Sequence, residues 1–198
     1  QINVPRDFWT QQIDIELPAI IDFERPSGGI EAIKKAADLL SNAKFPAILS
    51  GAGVVLADAI DECKNLAEKL DAPVACGYQH NDSFPGKHPL AVGPLGYNGS
   101  KAAMEIISKA DVVLALGTRL NPFSTLPGYG IDYWPKNANI IQVDINSDRI
   151  GLTKNVSVGI CGDAKLVAIQ ILENLSSNAG NDGREDRKAL IHQTKSSW

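Results

Sequence analysis

The sequence predicts an α/β fold, a doubly wound parallel sheet of about five or six strands flanked by helices. Two observations indicate this fold. Short runs such as residues 112–116, Val-Val-Leu-Ala-Leu, are apolar at every position, which is typical of strands covered on both faces. Amphipathic segments of helical period separate these runs, and that alternation favours parallel strands joined by helical crossovers.

The apolar runs predict the strands, and the amphipathic segments predict the helices. Strands are expected at residues 46–50, 73–76, 111–116, 139–145 and 156–160. Three helices should begin near residues 27, 54 and 163, the first with Ser27 or Gly28 near its cap, and another should span residues 100–109. The first of those three is expected to have an apolar face of Ile30, Ile33, Ala37 and Leu40. The second should have Leu56, Ile60, Cys63, Ala67 and Leu70, and the third Leu166, Ile169, Gln170 and Leu172.

Two long loops stand out, one at residues 77–86 that runs on into residues 93–100, and one at residues 117–130. Both are rich in Gly and Pro and carry aromatic side chains. Long loops in compact domains are usually functional or disordered, and this density of aromatic residues argues against disorder. Because the carboxyl ends of parallel strands share one edge, where ligands bind, we expect the function at these loops.

Composition excludes several classes of protein. With 198 residues, 44% of them hydrophobic, the chain can bury the core of one domain. The net charge is −4 and no basic cluster is present, which argues against nucleic acid as a partner. No apolar run reaches the length of a membrane span. Three scattered cysteines, Cys63, Cys76 and Cys161, fit neither a disulfide framework nor a zinc ribbon and favour the reducing cytoplasm.

Several residues at the predicted strand ends are candidates for a nucleotide-like edge. Gly51 and Gly53 allow a phosphate to approach backbone amides at a helix start, although a tight strand-to-helix turn is the favoured explanation of them. The pair Gly117-Thr118 follows another strand. Asp144, with Asn146 beside it, either accepts the hydroxyls of a ribose or caps the short turn at residues 147–150.

The charged and imidazole side chains of the two loops are candidates for anion binding and proton transfer. Arg119 matches the oxygens of phosphate or sulfonate, or else it pairs with Asp132. His80 and His88 either relay protons or have structural roles, and their spacing does not predict a metal site. Because no nucleophile with a base and an orienting group is present, these residues alone predict a binding edge without catalytic residues.

Longer runs resemble the central domain of thiamine-diphosphate enzymes, the family of acetohydroxyacid synthases and pyruvate oxidases. The resemblance lies in Pro5-Arg6-Asp7, Gly51-Ala52-Gly53, Phe84-Pro85-Gly86, residues 110–119, and residues 141–146 followed by Ile150-Gly151. Residues 4–10, 78–82, 94–102 and 119–135 resemble more narrowly an acyltransferase branch of this family. The resemblance covers nearly the whole chain.

The resemblance implies a reaction of sulfoacetaldehyde with phosphate that gives acetyl phosphate and sulfite, in sulfonate degradation. It also implies thiamine diphosphate and Mg²⁺ as cofactors, and a homodimer or homotetramer. His80, Asn81 and Arg119 are then expected along the path of the substrate anion. A flavin, FAD, is not expected, because Tyr97-Asn98-Gly99 replaces a histidine-containing run of the synthases.

The family's cofactor-binding motifs are not expected in this chain. The activating glutamate belongs to an N-terminal pyrimidine domain, and the Gly-Asp-Gly…Asn motif that binds the metal belongs to a C-terminal diphosphate domain. Gly162-Asp163-Ala164 lacks the third glycine of that motif. We therefore predict neither catalytic nor metal-binding residues here, and expect this chain alone to be inactive.

The chain is expected to be an interior fragment of a larger protein. Residues 1–7 are interpreted as the final strand of the pyrimidine domain, residues 8–27 as a linker, residues 28–178 as the central domain, and residues 179–198 as a linker towards the diphosphate domain. Three alternatives remain: an acetolactate synthase-like carboligase, a non-catalytic nucleotide-binding module, and an NAD-dependent deacylase. The deacylase would need four zinc-binding cysteines, which the three scattered cysteines disfavour.

Overall fold

Six parallel strands form the sheet of this protein, whose computed structural model describes residues 3–197. The strands are β1 (Pro46–Ser50), β2 (Val74–Gly77), β3 (Ala91–Leu95), β4 (Val112–Leu116), β5 (Asn139–Asp144) and β6 (Val158–Cys161). Their order is β3-β2-β1-β4-β5-β6, and each neighbouring pair is parallel. The predicted doubly wound parallel sheet is therefore confirmed.

Helices cover both faces of the sheet. They are α1 (Ile30–Ser41), α2 (Ala52–Leu56), α3 (Ile60–Leu70), α4 (Lys101–Ile107), α5 (Ala164–Asn174) and α6 (Arg184–Ser196). Helices α1 and α3 contact α5, whereas α4 contacts α6 and β3. Helix α3 connects β1 to β2 in one direction along the sheet, and α4 connects β3 to β4 in the opposite direction. Right-handed connections therefore place these two helices on opposite faces. Strands β1 and β4 between these layers are buried at every position.

The edge strand β3 is not predicted from the sequence, where residues 93–95 fall within the second part of the first long loop. Gly93 and Pro94 interrupt its apolar pattern. Gly93 has a φ of +97°, and the pairing of β3 with β2 shifts register beside it. A proline is tolerated because β3 has a neighbour on one side only.

The predicted second helix is in fact two helices. Asp58 takes a left-handed φ of 53° between α2 and α3, which ends the first helix. Leu56 consequently lies in α2 with 79% of its surface exposed, and its expected place on the apolar face is wrong. The other four residues expected on that face belong to α3, where Cys63, Ala67 and Leu70 are buried.

The apolar faces of α1 and α5 differ from the predictions in part. Helix α1 begins at Ile30, one residue after its cap at Gly29, and Ile30 is 63% exposed. Helix α5 buries Ala164, Val167, Ala168 and Ile171 instead of the expected face that includes Leu166 and Ile169. The α5 sequence is apolar almost all round, so helical periodicity does not single out one face.

The two ends of the chain take different forms. The strand expected at residues 1–7 is absent from residues 3–7, where a 3₁₀ turn forms at Arg6–Phe8, while residues 1 and 2 lie outside the described part. Residues 10–29 have no regular secondary structure. The segment interpreted as the second linker contains α6, so it packs on the domain. The division of the chain into four segments otherwise stays a prediction.

Arg187 attaches helix α6 to the domain through its guanidinium group, and 1% of the surface of this residue is exposed. Its five N–H groups donate to backbone carbonyls of Lys44, Leu70, Asp71, Gly180 and Asp182. Leu70 and Asp71 lie at the end of α3, Lys44 lies between α1 and β1, and Gly180 and Asp182 lie between α5 and α6. Within residues 3–197, no helix combines the length and apolar character needed to cross a bilayer.

Candidate functional site

A cleft of about 640 Å³ opens at the carboxyl edge of the sheet, beyond the paired strands β1 and β4. The chain leaves these two strands towards opposite sides of the sheet. Such a switch point is where ligands bind in doubly wound folds. Residues at the ends of five strands line the cleft, namely Gly51, Gly77, Gly117, Asp144 and Gly162.

The structure brings eight of the nine predicted site residues into this cleft. The eight are Gly51, Gly53, His80, Gly117, Thr118, Arg119, Asp144 and Asn146. Asn81 is exposed and does not line the cleft. The placement joins the proposed substrate-anion residues and the nucleotide-like edge in one cavity, while the chemical role of each residue stays a prediction.

Three glycines form the floor of the cleft and pack backbone against backbone. A Cβ atom on Gly53 would lie 2.6 Å from the Cα atom of Gly117, and one on Gly51 would lie 2.6 Å from the Gly117 carbonyl oxygen. The Gly53 amide already donates to that oxygen at 2.8 Å, and the Gly51 amide donates to Leu116 at 3.1 Å. Close packing of the two strand ends therefore explains these glycines without a phosphate.

Arg119 presents an unpaired guanidinium group to the cleft. The alternative partner Asp132 instead binds Lys136 at 2.8 Å, and the hydrogen bond from Lys136 lowers the pKa of the Asp132 carboxyl group. No ion pair of Arg119 is found within residues 3–197. Its neighbour Leu120 is fully buried, and Thr153 donates to the Leu120 carbonyl at 2.7 Å. The backbone next to Arg119 is therefore fixed, whereas the Arg119 side chain is exposed.

Two further arginines line the cleft and were missed in the sequence. Arg25 binds Asp163 at 2.8 Å, between residues far apart in the chain. Arg149 is exposed and, like Arg119, lacks an ion pair among the described residues. Both residues lie outside the two long loops. Arg25 is brought to the cleft by the irregular course of residues 10–29, which no local sequence pattern predicts. Within the described part of the chain, the cleft therefore presents the guanidinium groups of Arg119 and Arg149 without an ion pair.

Asp144 is a second carboxylate of the cleft lining, beside Asp163. Its Oδ1 atom accepts the amide of Asn146 at 2.9 Å. The short turn is capped by Asn146, whose side chain accepts from the Asp148 amide, so the alternative in which Asp144 caps this turn is wrong. The Oδ2 atom of Asp144 has no hydrogen-bond partner in the described part of the chain, which leaves it open to a ligand hydroxyl.

The two histidines have different surroundings. His80 lines the cleft, and its Nδ1 atom is 3.9 Å from Asp82, beyond hydrogen-bond length. His88 lies outside the cleft lining, with Nε2 3.1 Å from Glu68 and its ring edge-on to Phe84. The Leu90 amide donates to His88 Nδ1, so a structural role accounts for His88. Proton transfer by His80 stays a prediction.

The described residues around Asp163 do not fit a metal-bound diphosphate. The Asp163 carboxylate is already engaged, because Oδ1 caps α5 and Oδ2 binds Arg25. Among residues 3–197, no group of three or more His, Cys, Asp or Glu side chains is placed to hold a metal ion. The motif-like Gly162-Asp163-Ala164 is therefore a strand-to-helix turn, and no step of a reaction is assigned to a cofactor bound here.

Comparisons with known proteins identify relatives of the chain. Residues 33–174 match the family described as "Thiamine pyrophosphate enzyme, central domain". A protein of Rhizobium meliloti (strain 1021) named "Probable sulfoacetaldehyde acetyltransferase" is 76% identical over 198 residues, which is 100% of this chain and 34% of that protein. A "Probable acetolactate synthase large subunit" of Methanocaldococcus jannaschii is 36% identical over 181 residues, covering 88% of this chain and 30% of the relative.

A solved structure shows the same fold. Benzoylformate decarboxylase from Polynucleobacter necessarius superposes with a TM-score of 0.69 at 23% identity, over 89% of this chain and 33% of that one. The chain thus spans about a third of the length of the curated relatives that it matches.

Proposed function

Because this chain belongs to the thiamine pyrophosphate enzyme central-domain family, we propose that it is part of an acyltransferase that makes acetyl phosphate and sulfite from sulfoacetaldehyde and phosphate. The observation that carries this proposal is the 76% identity over the whole chain to a probable sulfoacetaldehyde acetyltransferase. The acetolactate synthase relative is 36% identical, so the acyltransferase takes precedence over the carboligase.

We propose that thiamine diphosphate and Mg²⁺ bind to other parts of the full-length protein. Residues 1–7 would then end a pyrimidine domain, and the polypeptide after residue 198 would lead to a diphosphate domain. The full-length enzyme would be a cytoplasmic homodimer or homotetramer. The chemistry of bond cleavage belongs to the cofactor, and this chain contributes binding and electrostatics.

In this proposal the cleft at the β1–β4 switch point binds an anion. Arg119 and Arg149 are unpaired in the described structure, and a guanidinium group matches the oxygens of a sulfonate or phosphate in a two-pronged hydrogen bond. His80 shares the cleft and is placed to exchange a proton with a bound anion. Asn81 would act on the approach to the cleft rather than inside it.

A second candidate for the same cleft is a nucleotide. The crevice at a topological switch point suits a nucleotide, and the open Oδ2 atom of Asp144 could accept a ribose hydroxyl while an arginine binds a phosphate. FAD is not expected. Titration with ADP, NAD and FAD tests this candidate, and micromolar binding of one of them, without substrate turnover by the full-length protein, would favour the non-catalytic module.

The experiment that tests the proposed activity is an assay of the full-length protein with thiamine diphosphate, Mg²⁺, sulfoacetaldehyde and phosphate. We expect one sulfite for each acetyl phosphate, and no acetyl phosphate when phosphate is omitted. Formation of acetolactate from pyruvate, without release of sulfite from sulfoacetaldehyde, would identify the carboligase instead.

A further inference from the structure

A segment before the first helix exposes an unusual amount of apolar surface. Residues 8–23, called the apolar strap here, carry eight large apolar side chains that are between 53% and 97% exposed. They are Phe8, Trp9, Ile13, Ile15, Leu17, Ile20, Ile21 and Phe23. Single exposed apolar residues are ordinary, but a contiguous set marks an interaction surface.

The central part of the strap has two faces of different chemistry. Ile13, Ile15 and Leu17 alternate with Asp14 and Glu16. In an extended chain successive side chains point to opposite sides, so one side is apolar and the other is acidic. This period of two is typical of a strand with one buried face.

From residue 12 onwards, the backbone of the strap is open to pairing. Within residues 3–197, no backbone hydrogen bond is made by residues 12–25. An extended segment with unpaired N–H and C=O groups can be added to the edge of a sheet or laid on a surface. Residues 12–23 of the strap thus combine an apolar face with free backbone groups among the described residues, and strand docking needs both.

The end of the strap is firmly attached to the domain. The Asp163 amide donates to the Pro26 carbonyl at 2.7 Å, and the Asp163 side chain binds Arg25 at 2.8 Å. Gln170 donates to the Ser27 carbonyl at 2.6 Å. The strap therefore leaves the domain at a fixed point beside the start of α5 and the edge strand β6.

A second copy of this strap is a poor partner for it. Asp14, Glu16, Asp22 and Glu24 give the strap acidic groups along its length, and Arg25 is engaged by Asp163. Pairing two straps would set these carboxylates against one another, and like charges facing across a strand pair are destabilising. The complementary surface is apolar with lysine or arginine at its margin.

We propose that the apolar strap docks as an extended strand on another domain of the same polypeptide, on an apolar surface with a basic margin. The family match is to a central domain and begins at residue 33, so the strap precedes it. The curated relative is about three times as long as this chain, which supplies the neighbouring domains. This inference rests on family membership and not on the proposed reaction.

The test places a photo-crosslinking residue in the strap of the full-length protein, as Leu17→p-benzoylphenylalanine. We expect an intrachain cross-link that keeps the mass of one chain in a denaturing gel, with the joined peptide outside residues 1–198. The same replacement at Lys34, on the exposed side of α1, is the control. A cross-link between two chains, a joined peptide inside residues 1–198, or a yield no higher than that of the control would overturn the proposal.

Hydrogen exchange of the unaltered full-length protein gives an independent measurement. We expect the amides of residues 13–17 to exchange at least about 100-fold more slowly than in an unstructured chain. The double variant Ile13→Asp/Ile15→Asp should lose that protection, whereas Gln11→Asp/Gln12→Asp, which adds the same charge next to it, should keep it. Exchange of these amides at the unstructured rate in the unaltered protein would refute docking.

Discussion

The amide of Tyr97 donates a hydrogen bond of 2.8 Å to the carbonyl of Phe123, and so joins the first long loop to the second. The Tyr97 ring also packs edge-on against Tyr78, and the Tyr129 hydroxyl donates to the Gly99 carbonyl. The two loops are therefore one unit above the carboxyl edge of the sheet.

Replacement of Gly96 tests how closely the loops fit. Gly96 has a φ of +85°, and an added Cβ atom would overlap the Phe123 carbonyl and lie 2.7 Å from the Ser124 Cα atom. We expect Gly96→Ala to lower the free energy of unfolding by about 3 kcal/mol, from backbone strain and overpacking. Urea denaturation measures the change.

The control for this variant is Gly86→Ala in the loop that precedes β3, where nothing lies within 4 Å of the added atom. It should change the free energy of unfolding by less than about 0.5 kcal/mol. Equal effects of the two substitutions would show that the loops are not interlocked at Gly96.

Arg187 should be the main attachment of α6. Arg187→Leu removes the donors of five carbonyls in a buried place, and unsatisfied buried carbonyls cost about 1–3 kcal/mol each. We expect a loss of at least about 3 kcal/mol in the free energy of unfolding. Lys188→Leu removes only an exposed ion pair with Glu185 and should cost less than about 1 kcal/mol. A small effect of Arg187→Leu would contradict this role.

The three thiols should differ in reactivity. Burial raises the pKa of Cys63 to about 12 and raises that of Cys76, whereas Cys161 is exposed. Because the thiolate is the reactive form, a raised pKa lowers its fraction at every pH below the new value. At pH 8 we expect Cys161 to react with a disulfide reagent well before the other two, and all three to react after denaturation. Mass spectrometry of labelled peptides identifies the thiols, and early labelling of Cys63 would contradict its burial.

The sequence predicted the fold well because local pattern and global fold agree in the central strands. The run at residues 112–116 is apolar throughout and becomes the buried strand β4. The pattern failed where another constraint prevailed: Gly93 and Pro94 hide the edge strand β3, and a helix apolar almost all round gave the wrong face for α5. The carboxyl end of a strand can be located in the sequence. Site residues that directly follow such ends, among them Gly51 and Arg119, were therefore predicted and do line the cleft.

Tertiary placement explains the residues that were missed. Arg25 meets Asp163 across 138 positions of the chain, and no spacing rule connects the two. Asn81 shows the converse, since it neighbours His80 in sequence but lies outside the cleft lining. Side-chain direction within an irregular loop depends on its packing, which the residue types alone do not determine.

The described residues predict that thiamine diphosphate does not bind to this chain alone. Asp163 is engaged in a helix cap and an ion pair, and its neighbourhood contains no metal-binding cluster within the described part. Calorimetric titration of the 198-residue chain with thiamine diphosphate and Mg²⁺ should therefore show no saturable heat. Saturable binding of the pair would place the cofactor site inside this chain.

The most direct test of the proposal that the cleft binds the substrate anion is steady-state kinetics of Arg119→Ala in the full-length protein. A charge-assisted hydrogen bond contributes about 1.5–3 kcal/mol, and 1.4 kcal/mol corresponds to a factor of about ten. We therefore predict a rise of about tenfold or more in KM for sulfoacetaldehyde or for phosphate. Lys136→Ala, which removes an equal charge outside the cleft lining, should leave both values unchanged. Unchanged KM and kcat in Arg119→Ala would contradict the assignment of this cleft to the substrate anion.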